Sequence, residues 1–169
     1  RDCYLVYSAM FPSVIAKSIS LEESLIDIQS LAKAAKISFL KAEVNDIDYT
    51  LGEIILYNRP SVKFSNLVLN YGSQTRITQE FENLVSSQIA FPIKPFLKAY
   101  ELITKEDIYD SAKEVPFVVV GSGLAAIEVS YALRKRWRNR TLKLFCNANK
   151  INYKILKSLR NANIEFVDN

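Results

Sequence analysis

The fold class of this chain follows from one segment, Phe117-Val-Val-Val-Gly-Ser-Gly-Leu-Ala-Ala-Ile-Glu128. Its first four residues are the β-branched and aromatic run of a central parallel strand, and an amphipathic helix follows. Between them lies Gly-x-Gly-x-x-Ala, in which Gly121 permits a tight turn and Gly123 lets a pyrophosphate approach the backbone. Ala126 replaces the third glycine and is small enough for close packing of the helix against the strand.

The sequence on the carboxyl side of the motif alternates between strand and helix patterns. This β-α-β-α-β order is typical of half a Rossmann-like domain, in which a helix N-terminus faces the phosphates of a dinucleotide. An ordinary α/β turn without a ligand is the alternative. The predicted elements are strand 116–120, helix 124–137, strand 142–146, helix 152–160 and strand 164–167. The expected NAD(P)H-binding residues are Gly121, Ser122, Gly123, Leu124 and Ala126.

One expected feature is missing from this pattern. A carboxylate that holds the ribose hydroxyls normally follows the second strand, about twenty residues after the glycines. Here Cys146-Asn-Ala-Asn149 contains no carboxylate. Asn147 or Asn149 would have to bond the ribose instead, and Lys150 would tolerate a 2′-phosphate. The choice between NADH and NADPH therefore stays open.

Composition excludes several reaction classes. The 169 residues are 49% hydrophobic and 24% charged, as in globular domains, and include no His and two Cys. Without His, serine and cysteine triads and the commonest zinc ligand are excluded. Cys3 and Cys146 form neither a CxxC nor a zinc spacing, so we expect free thiols and no metal site. The net charge of +4 permits an anionic ligand but does not demand nucleic acid.

The amino-terminal two thirds show a different organisation. The capping-box pattern at Ser20 to Glu23 predicts a helix from Leu21 to about Lys36. A continuous apolar strand is expected at 66–71, ending at Gly72-Ser73, then a polar surface excursion at 74–90 and a helix opened by Pro92-Ile-Lys-Pro95. Between the first helix and that strand, an antiparallel β-meander is predicted from the short runs 37–40, 42–48, 53–58 and 62–64.

Two further features have competing interpretations. Arg134-Lys-Arg-Trp-Arg-Asn-Arg140 carries five basic residues, which would suit nucleic acid but also complement the carboxyl end of a helix dipole. We favour the structural interpretation and expect no nucleic-acid binding. Asp27 lies between two isoleucines and is expected to orient a loop or face water, not to act in catalysis. No apolar run reaches the roughly 18–20 residues needed to span a bilayer, so we expect a cytoplasmic protein.

Several stretches together resemble a known family. The Gly-x-Gly-x-x-Ala-x-Glu pattern at Gly121 to Glu128 looks like the NADH-binding half of two-dinucleotide-binding flavoproteins. In their order along the chain, five more segments are similar to type II NADH dehydrogenase-like members of the pyridine nucleotide-disulfide oxidoreductases, and most of all to the branch fused to selenide water dikinase. These segments are Tyr7–Ser13, Ile26–Ala32, Phe39–Asp48, Leu67–Ser73 and Pro92–Pro95.

The resemblance implies roles for particular residues. Val44 would lie near the FAD adenine, and Gly72-Ser73 would match a turn beside the flavin. Lys94 and Pro95 would lie on the flavin side of the site, although Lys94 could equally reach solvent from a helix start. Glu128 would position the nicotinamide without being a certain catalytic residue. Its alternative role is that of a first-turn carboxylate favoured by the helix dipole.

The resemblance also implies what the chain belongs to. The amino-terminal FAD glycine motif and a carboxyl-terminal flavin segment of the family are absent, so an internal fragment is expected, inactive alone, and whether it binds any cofactor by itself stays open. Residues 1–112 would be part of a FAD domain and 113–169 the first half of an NAD(P)H domain. The intact parent, peripheral to a membrane, would pass hydride from nicotinamide to flavin N5 and then electrons to a quinone or other acceptor.

Two alternatives for function and assembly remain. The missing ribose carboxylate would also suit a non-catalytic Rossmann-type interaction or regulatory domain, fused to or partnering a selenide water dikinase domain. Exposed sheet edges would let two copies of the chain pair as a homodimer, and the remainder of the flavoprotein is the other expected partner.

Overall fold

The computed structural model describes residues 3–111 and 114–168. The chain forms two compact units, one made of Arg1–Leu5 with Ile26–Gln74 and the other of Val6–Leu25 with Thr75–Asn169. The boundary predicted between residues 112 and 113 lies outside the described residues. The assignment of 1–112 to FAD and 113–169 to NAD(P)H stays a prediction.

Strands and helices alternate irregularly in the amino-terminal part and regularly in the carboxyl-terminal part. The strands are β1 Tyr4–Val6, β2 Leu25–Asp27, β3 Val44–Asp48, β4 Glu53–Leu56, β5 Val62–Lys63, β6 Phe117–Val120, β7 Leu142–Cys146 and β8 Ile164–Asp168. The α-helices are α1 Phe11–Ile15, α2 Ile28–Ala34, α3 Gln79–Ser86, α4 Phe96–Lys105, α5 Leu124–Arg136 and α6 Tyr153–Asn161. Short 3-10 turns cover Ser8–Met10, Glu22–Ser24, Glu106–Tyr109 and Ala148–Lys150.

The first unit contains the predicted antiparallel meander. Strand β4 pairs with β3 on one side and β5 on the other, both antiparallel. The turn between β3 and β4 is closed by Asp48, whose carboxylate accepts hydrogen bonds from the Thr50 and Leu51 amides at 2.8 Å. Gly52 follows with φ +65°, a conformation that glycine adopts without strain. The meander prediction is confirmed for β3, β4 and β5.

The helix predicted from Leu21 to about Lys36 is wrong over 21–27. The capping box forms, with the Ser20 amide donating to Glu23 Oε2 at 2.7 Å, but it closes only a 3-10 turn. The chain then extends into β2, because pairing with β1 satisfies its backbone. Helix α2 begins one residue after Asp27, whose carboxylate caps it by accepting from the Ser30 amide at 3.0 Å. Asp27 is thus a helix cap.

Two predicted strands do not form. Residues 37–40 and 66–71 have no regular structure, and Val68 and Tyr71 are 87% and 89% exposed. An apolar run becomes a strand only when a neighbouring strand accepts its backbone hydrogen bonds. No such neighbour pairs with 66–71 among the residues that the structure describes. Gly72 nevertheless turns the chain with φ +77°.

The second unit contains the predicted β-α-β-α-β arrangement. Strands β6, β7 and β8 form a parallel sheet in that order, with Val120 opposite Phe145 and Cys146 opposite Asp168. Helices α5 and α6 bury Ile127 and Leu159 against Leu144 and Ile164 of the sheet. The five predicted elements are confirmed, with ends that differ by one residue at most. The expectation that β6 is a central strand is wrong, because among the described residues β6 pairs only with β7 and lies at an edge of the sheet.

A second core of the same unit joins helices α1, α4 and α5. Phe11, Ile103 and Leu133 are fully buried in it, together with Trp137 at the end of α5. The expected helix after Pro92–Pro95 is confirmed, with Pro95 as the N-cap residue of α4. The surface excursion at 74–90 contains α3, in which no residue is fully buried.

Candidate functional site

The turn after β6 has the geometry that the glycine motif predicts. Gly121 has φ +147°, which residues with a side chain rarely adopt. A Cβ atom built on Gly121 would lie 3.1 Å from the Cβ of Ala126. Helix α5 therefore begins in contact with the glycine turn, and this close approach needs a small residue at both positions. The turn expected at Gly121 and the close packing expected at Ala126 are present, while the roles of both residues toward NAD(P)H stay predictions.

The amino end of α5 offers backbone donors. Gly123 is the N-cap residue, and because glycine has no side chain, no side-chain hydrogen bond caps the first turn of the helix. A Cβ atom on Gly123 would meet nothing within 4 Å, so space is open in front of the loop. The first amides of a helix have no partner inside it and carry the positive end of the dipole. This end of α5 therefore suits a phosphate group.

An open depression of about 560 Å³ lies at the carboxyl end of the parallel strands. Gly121 and Ser122 of the turn line it together with Cys146 and Asn147 from the end of β7. Its remaining lining is apolar and consists of Phe81, Val118, Val120 and Phe145. In open α/β sheets ligands bind in the crevice beyond the carboxyl ends of the strands, and the depression lies at that edge of the sheet.

Ser122 joins the glycine turn to the loop after β7. Its hydroxyl oxygen accepts a hydrogen bond from the Asn147 amide at 2.7 Å. The side chain of Ser122 therefore holds the two loops that border the depression. The motif alone identified Ser122 only as a cofactor contact, because nothing local in the sequence indicates a partner 25 residues away.

Besides Ser122 Oγ, two side-chain oxygens accept hydrogen bonds from the backbone of the loop after β7. Asn147 Oδ1 accepts from the Asn149 amide at 3.1 Å, a local turn that engages this oxygen within the loop. Asp168, the last residue of β8, accepts from the Ala148 amide at 2.7 Å through Oδ1. Sequence reasoning missed Asp168, since it sought an acid only at the end of the second strand. The available signal was a carboxylate ending the neighbouring strand of a parallel sheet.

Cys146 is a buried thiol at the same edge. Burial raises the pKa of this thiol, and the negative charge of Asp168 raises it further. Neither Cys146 nor Cys3 is in a disulfide, which confirms the expectation of free thiols. The thiol of Cys146 is therefore protonated at neutral pH and contributes packing, not nucleophilic chemistry.

Two of the expected NAD(P)H residues have exposed side chains. Leu124 is 71% exposed at the start of α5. Glu128 is exposed as well, and because the first turn of α5 contains no acidic residue, its interpretation as a first-turn carboxylate is wrong. A position one turn further into the helix gains little from the dipole, which decays over the first turn. The positioning role of Glu128 stays a prediction.

The residues expected to bind FAD are divided between the units. Val44, at the start of β3 and 53% exposed, belongs to the first unit together with Gly72 and Ser73. Lys94 and Pro95 belong to the second, where the bond between them is cis and Lys94 Nζ lies 5.8 Å from the Phe96 ring centroid. Their roles toward FAD stay predictions.

The basic run 134–140, which begins in the last turn of α5, serves the fold, as its structural interpretation predicts. Arg136 is buried and donates to both oxygens of Asp107, at 2.6 and 2.8 Å. Arg140 is 2% exposed and donates to Glu106 Oε2 at 2.8 Å. Arg134 donates to four backbone carbonyls, and Lys135 donates to Ser18 Oγ at 2.9 Å. The absence of nucleic-acid binding itself stays a prediction.

Two structural searches of the described residues have negative results. No group of three potential metal ligands lies together among residues 3–111 and 114–168. Over the same ranges, no helix combines the length and apolar character that crossing a membrane requires.

Comparison with known proteins identifies the fold. No family model and no curated protein matches the chain. Among solved structures, a NAD-dependent persulfide reductase from A. fulgidus has a TM-score of 0.75 at 14% identity, over 96% of this chain and 32% of that one. Putidaredoxin reductase, in its covalent complex with putidaredoxin, has a TM-score of 0.70 at 16% identity, over 94% and 39%.

A third structure extends the comparison to a quinone enzyme. The sulfide:quinone oxidoreductase of Aquifex aeolicus has a TM-score of 0.67 at 15% identity, over 99% of this chain and 43% of that one. The chain has the FAD/NAD-binding Rossmann-like fold of these flavoproteins. It spans 32 to 43% of the length of these three structures and so matches only part of their fold.

Proposed function

We propose that the chain is part of a FAD-dependent NAD(P)H:acceptor oxidoreductase and that its second unit binds the nicotinamide nucleotide. The observation that carries the proposal is the glycine turn of Gly121 to Gly123. It ends a parallel strand, lies at the amino end of α5, where no side chain caps the helix, and borders a depression of about 560 Å³. The pyrophosphate would lie on the amino end of α5 and the nicotinamide along the apolar wall of the depression.

The residues present fit a dinucleotide in two respects. Open space before Gly123 leaves room for a phosphate against the backbone, and a net charge of +4 favours an anionic ligand. FAD would supply the electron relay of the parent protein. In this chain Val44, Gly72, Ser73, Lys94 and Pro95 are the residues that we propose for its binding.

The acceptor and the partners belong to the whole flavoprotein. The structural neighbours include a sulfide:quinone oxidoreductase and a reductase in complex with putidaredoxin, which supports a quinone or a redox protein as acceptor. We propose the remainder of the flavoprotein as the first partner of this chain. A fused selenide water dikinase domain, a peripheral membrane location and a homodimer through the sheet edges remain predictions from the sequence.

The proposed nucleotide site is tested by the pair Gly123→Val and Gly121→Val. Valine at 123 meets open space within the protein, so the chain should keep its unfolding midpoint yet lose NADH binding by at least roughly tenfold, because the side chain occupies the pyrophosphate position. Valine at 121 contacts Ala126 and needs a positive φ, so it should destabilise the chain. Calorimetric titration with NADH and thermal unfolding measure the two effects.

Two results would overturn the proposal. If the unsubstituted chain takes up no NADH at millimolar concentration, the non-catalytic interaction domain becomes the better interpretation, and the apolar residues Val118, Val120 and Phe145 become its candidate contact surface. If Gly123→Val binds NADH as well as the unsubstituted chain, the nucleotide lies elsewhere.

A further inference from the structure

The loop after β7 lacks the acid that normally holds the adenine ribose of a dinucleotide. Its own polar groups are largely engaged within the fold. The backbone amide of Asn147 donates to Ser122 Oγ, and Asn147 Oδ1 accepts from the backbone amide of Asn149. The amide of Ala148 donates to Asp168. Because these bonds commit Asn147 to the conformation of the loop, a carboxylate from another element is the stronger candidate acceptor for the ribose.

The neighbouring strand supplies a carboxylate at this place. Asp168 ends β8 and lies opposite Cys146, the last residue of β7. Its side chain crosses to the next loop, where Oδ1 lies 2.7 Å from the Ala148 nitrogen. The carboxylate therefore lies at the loop after β7, although Asp168 belongs to β8.

Asp168 and Ser122 of the glycine turn bind adjacent residues of the loop after β7. Ser122 Oγ binds the amide of residue 147 and Asp168 Oδ1 binds the amide of residue 148, each at 2.7 Å. Consecutive residues are about 3.8 Å apart, so the turn and the carboxylate flank one dipeptide. A nucleotide with its pyrophosphate on the turn would bring its ribose toward Asp168.

The charge of Asp168 acts on the edge of the depression. It contributes to the raised pKa of Cys146, whose side chain is part of the lining. An ionised carboxylate has about four lone-pair sites, and the Ala148 amide uses one of them. Asp168 is exposed, so further sites face solvent and are open to hydroxyl donors. A 2′-phosphate would meet like charge there and be disfavoured.

We propose that Asp168 is the ribose-binding carboxylate of this site, supplied by β8 in place of β7, and that it selects NADH over NADPH. This assignment rests on the proposed nucleotide-binding function. The assignment favours the ribose diol of NADH over a 2′-phosphate near Lys150, the choice that the sequence pattern leaves open. Specificity then comes from both attraction of the two hydroxyls and repulsion of the phosphate.

The test is a set of calorimetric titrations of the full chain with NADH and with NADPH. Asp168→Asn keeps an oxygen for the Ala148 amide but removes the charge, so the loop should keep its conformation. The matched control is Glu165→Gln, which removes one charge from an exposed position of the same strand three residues earlier, where Glu165 pairs with Lys143 at 3.3 Å.

The unsubstituted chain and Glu165→Gln should bind NADH at least roughly tenfold more tightly than NADPH. Asp168→Asn should weaken NADH binding by roughly tenfold and leave NADPH binding unchanged or tighter, so that the preference largely disappears. A role confined to holding the loop would weaken both nucleotides equally, which is a different result.

The possible failures are distinguishable. If the unsubstituted chain binds neither nucleotide, the proposed function itself fails and the assignment fails with it. If it binds NADPH at least as tightly as NADH, or if Asp168→Asn changes both affinities equally or neither, the assignment of Asp168 is overturned while nucleotide binding stands.

Discussion

Asp107 binds two residues at the carboxyl end of α5, Arg136 and Trp137. Its carboxylate accepts from Arg136, from Trp137 Nε1 at 2.8 Å and from Lys17 at 2.7 Å. Burial by itself would raise its pKa, but the hydrogen bonds from Arg136, Lys17 and Trp137 outweigh it and lower the pKa to about 2. The ion pair is thus a strong contact between α5 and the turn after α4.

Replacing Asp107 by Asn should destabilise the second unit by about 2 kcal/mol at pH 7, because the buried guanidinium of Arg136 loses its counter-charge. Trp137, the only tryptophan of the chain, reports the transition in a urea titration. Glu101→Gln is the control, since its pair with Lys98 at 3.7 Å is exposed and should contribute under about 1 kcal/mol. Equal midpoints for the two variants would contradict this role of Asp107.

The same carboxylate predicts a pH dependence. Because the folded pKa is lowered from 3.8 to about 2, the stabilisation is complete above pH 4 and is lost as the pH falls through about 2. The difference between the unsubstituted chain and Asp107→Asn should therefore shrink over this window. A difference that persists at pH 2 would assign the effect to packing.

At the scale of elements, Arg134 ties the end of α5 to two turns. Its guanidinium donates to the carbonyls of Trp137, Arg138 and Arg140 at 3.0 to 3.1 Å and to that of Asn163 at 2.6 Å. Burial lowers the pKa of this group, and the charge of Asp110 opposes the shift. The planar fork reaches acceptors in several directions at once, which a lysine ammonium on a flexible stem does not.

Arg134→Lys should accordingly cost about 1 to 2 kcal/mol in the free energy of unfolding, through lost hydrogen bonds to carbonyls. Arg138→Lys makes the same chemical change at an exposed position and should cost under about 0.5 kcal/mol. Urea titrations followed by Trp137 fluorescence compare the two, and an equal cost would show that the carbonyl contacts of Arg134 are not stabilising.

The elements differ in how far the sequence predicts them. Strands β6 to β8 and helices α5 and α6 are predictable because each carries a local signal and each pairs with the next along the chain. The structure of segment 66–71 is not predictable in this way, since its apolar sequence is the same whether or not a neighbouring strand pairs with it. The capping box at Ser20 is likewise local and does not determine that the chain turns into β2 after one 3-10 turn.

The candidate site divides in the same way. The glycine turn and Ala126 are predictable because backbone conformation and close packing restrict the residue types at those positions. The bond between Ser122 and Asn147 and the placement of Asp168 depend on the register of β7 with β8, which the glycine motif does not contain. Tertiary pairing thus brings a carboxylate to a loop whose own sequence contains none.

We propose that the second unit of the chain binds a nicotinamide nucleotide at the carboxyl edge of its parallel sheet. Backbone amide resonances of the full chain, recorded while NADH is added, test this claim most directly. We expect the largest shifts at 121–125 and 146–150, with smaller ones at the end of β8. Shifts confined to the meander or to the basic run 134–140, or no shifts at millimolar NADH, would contradict it.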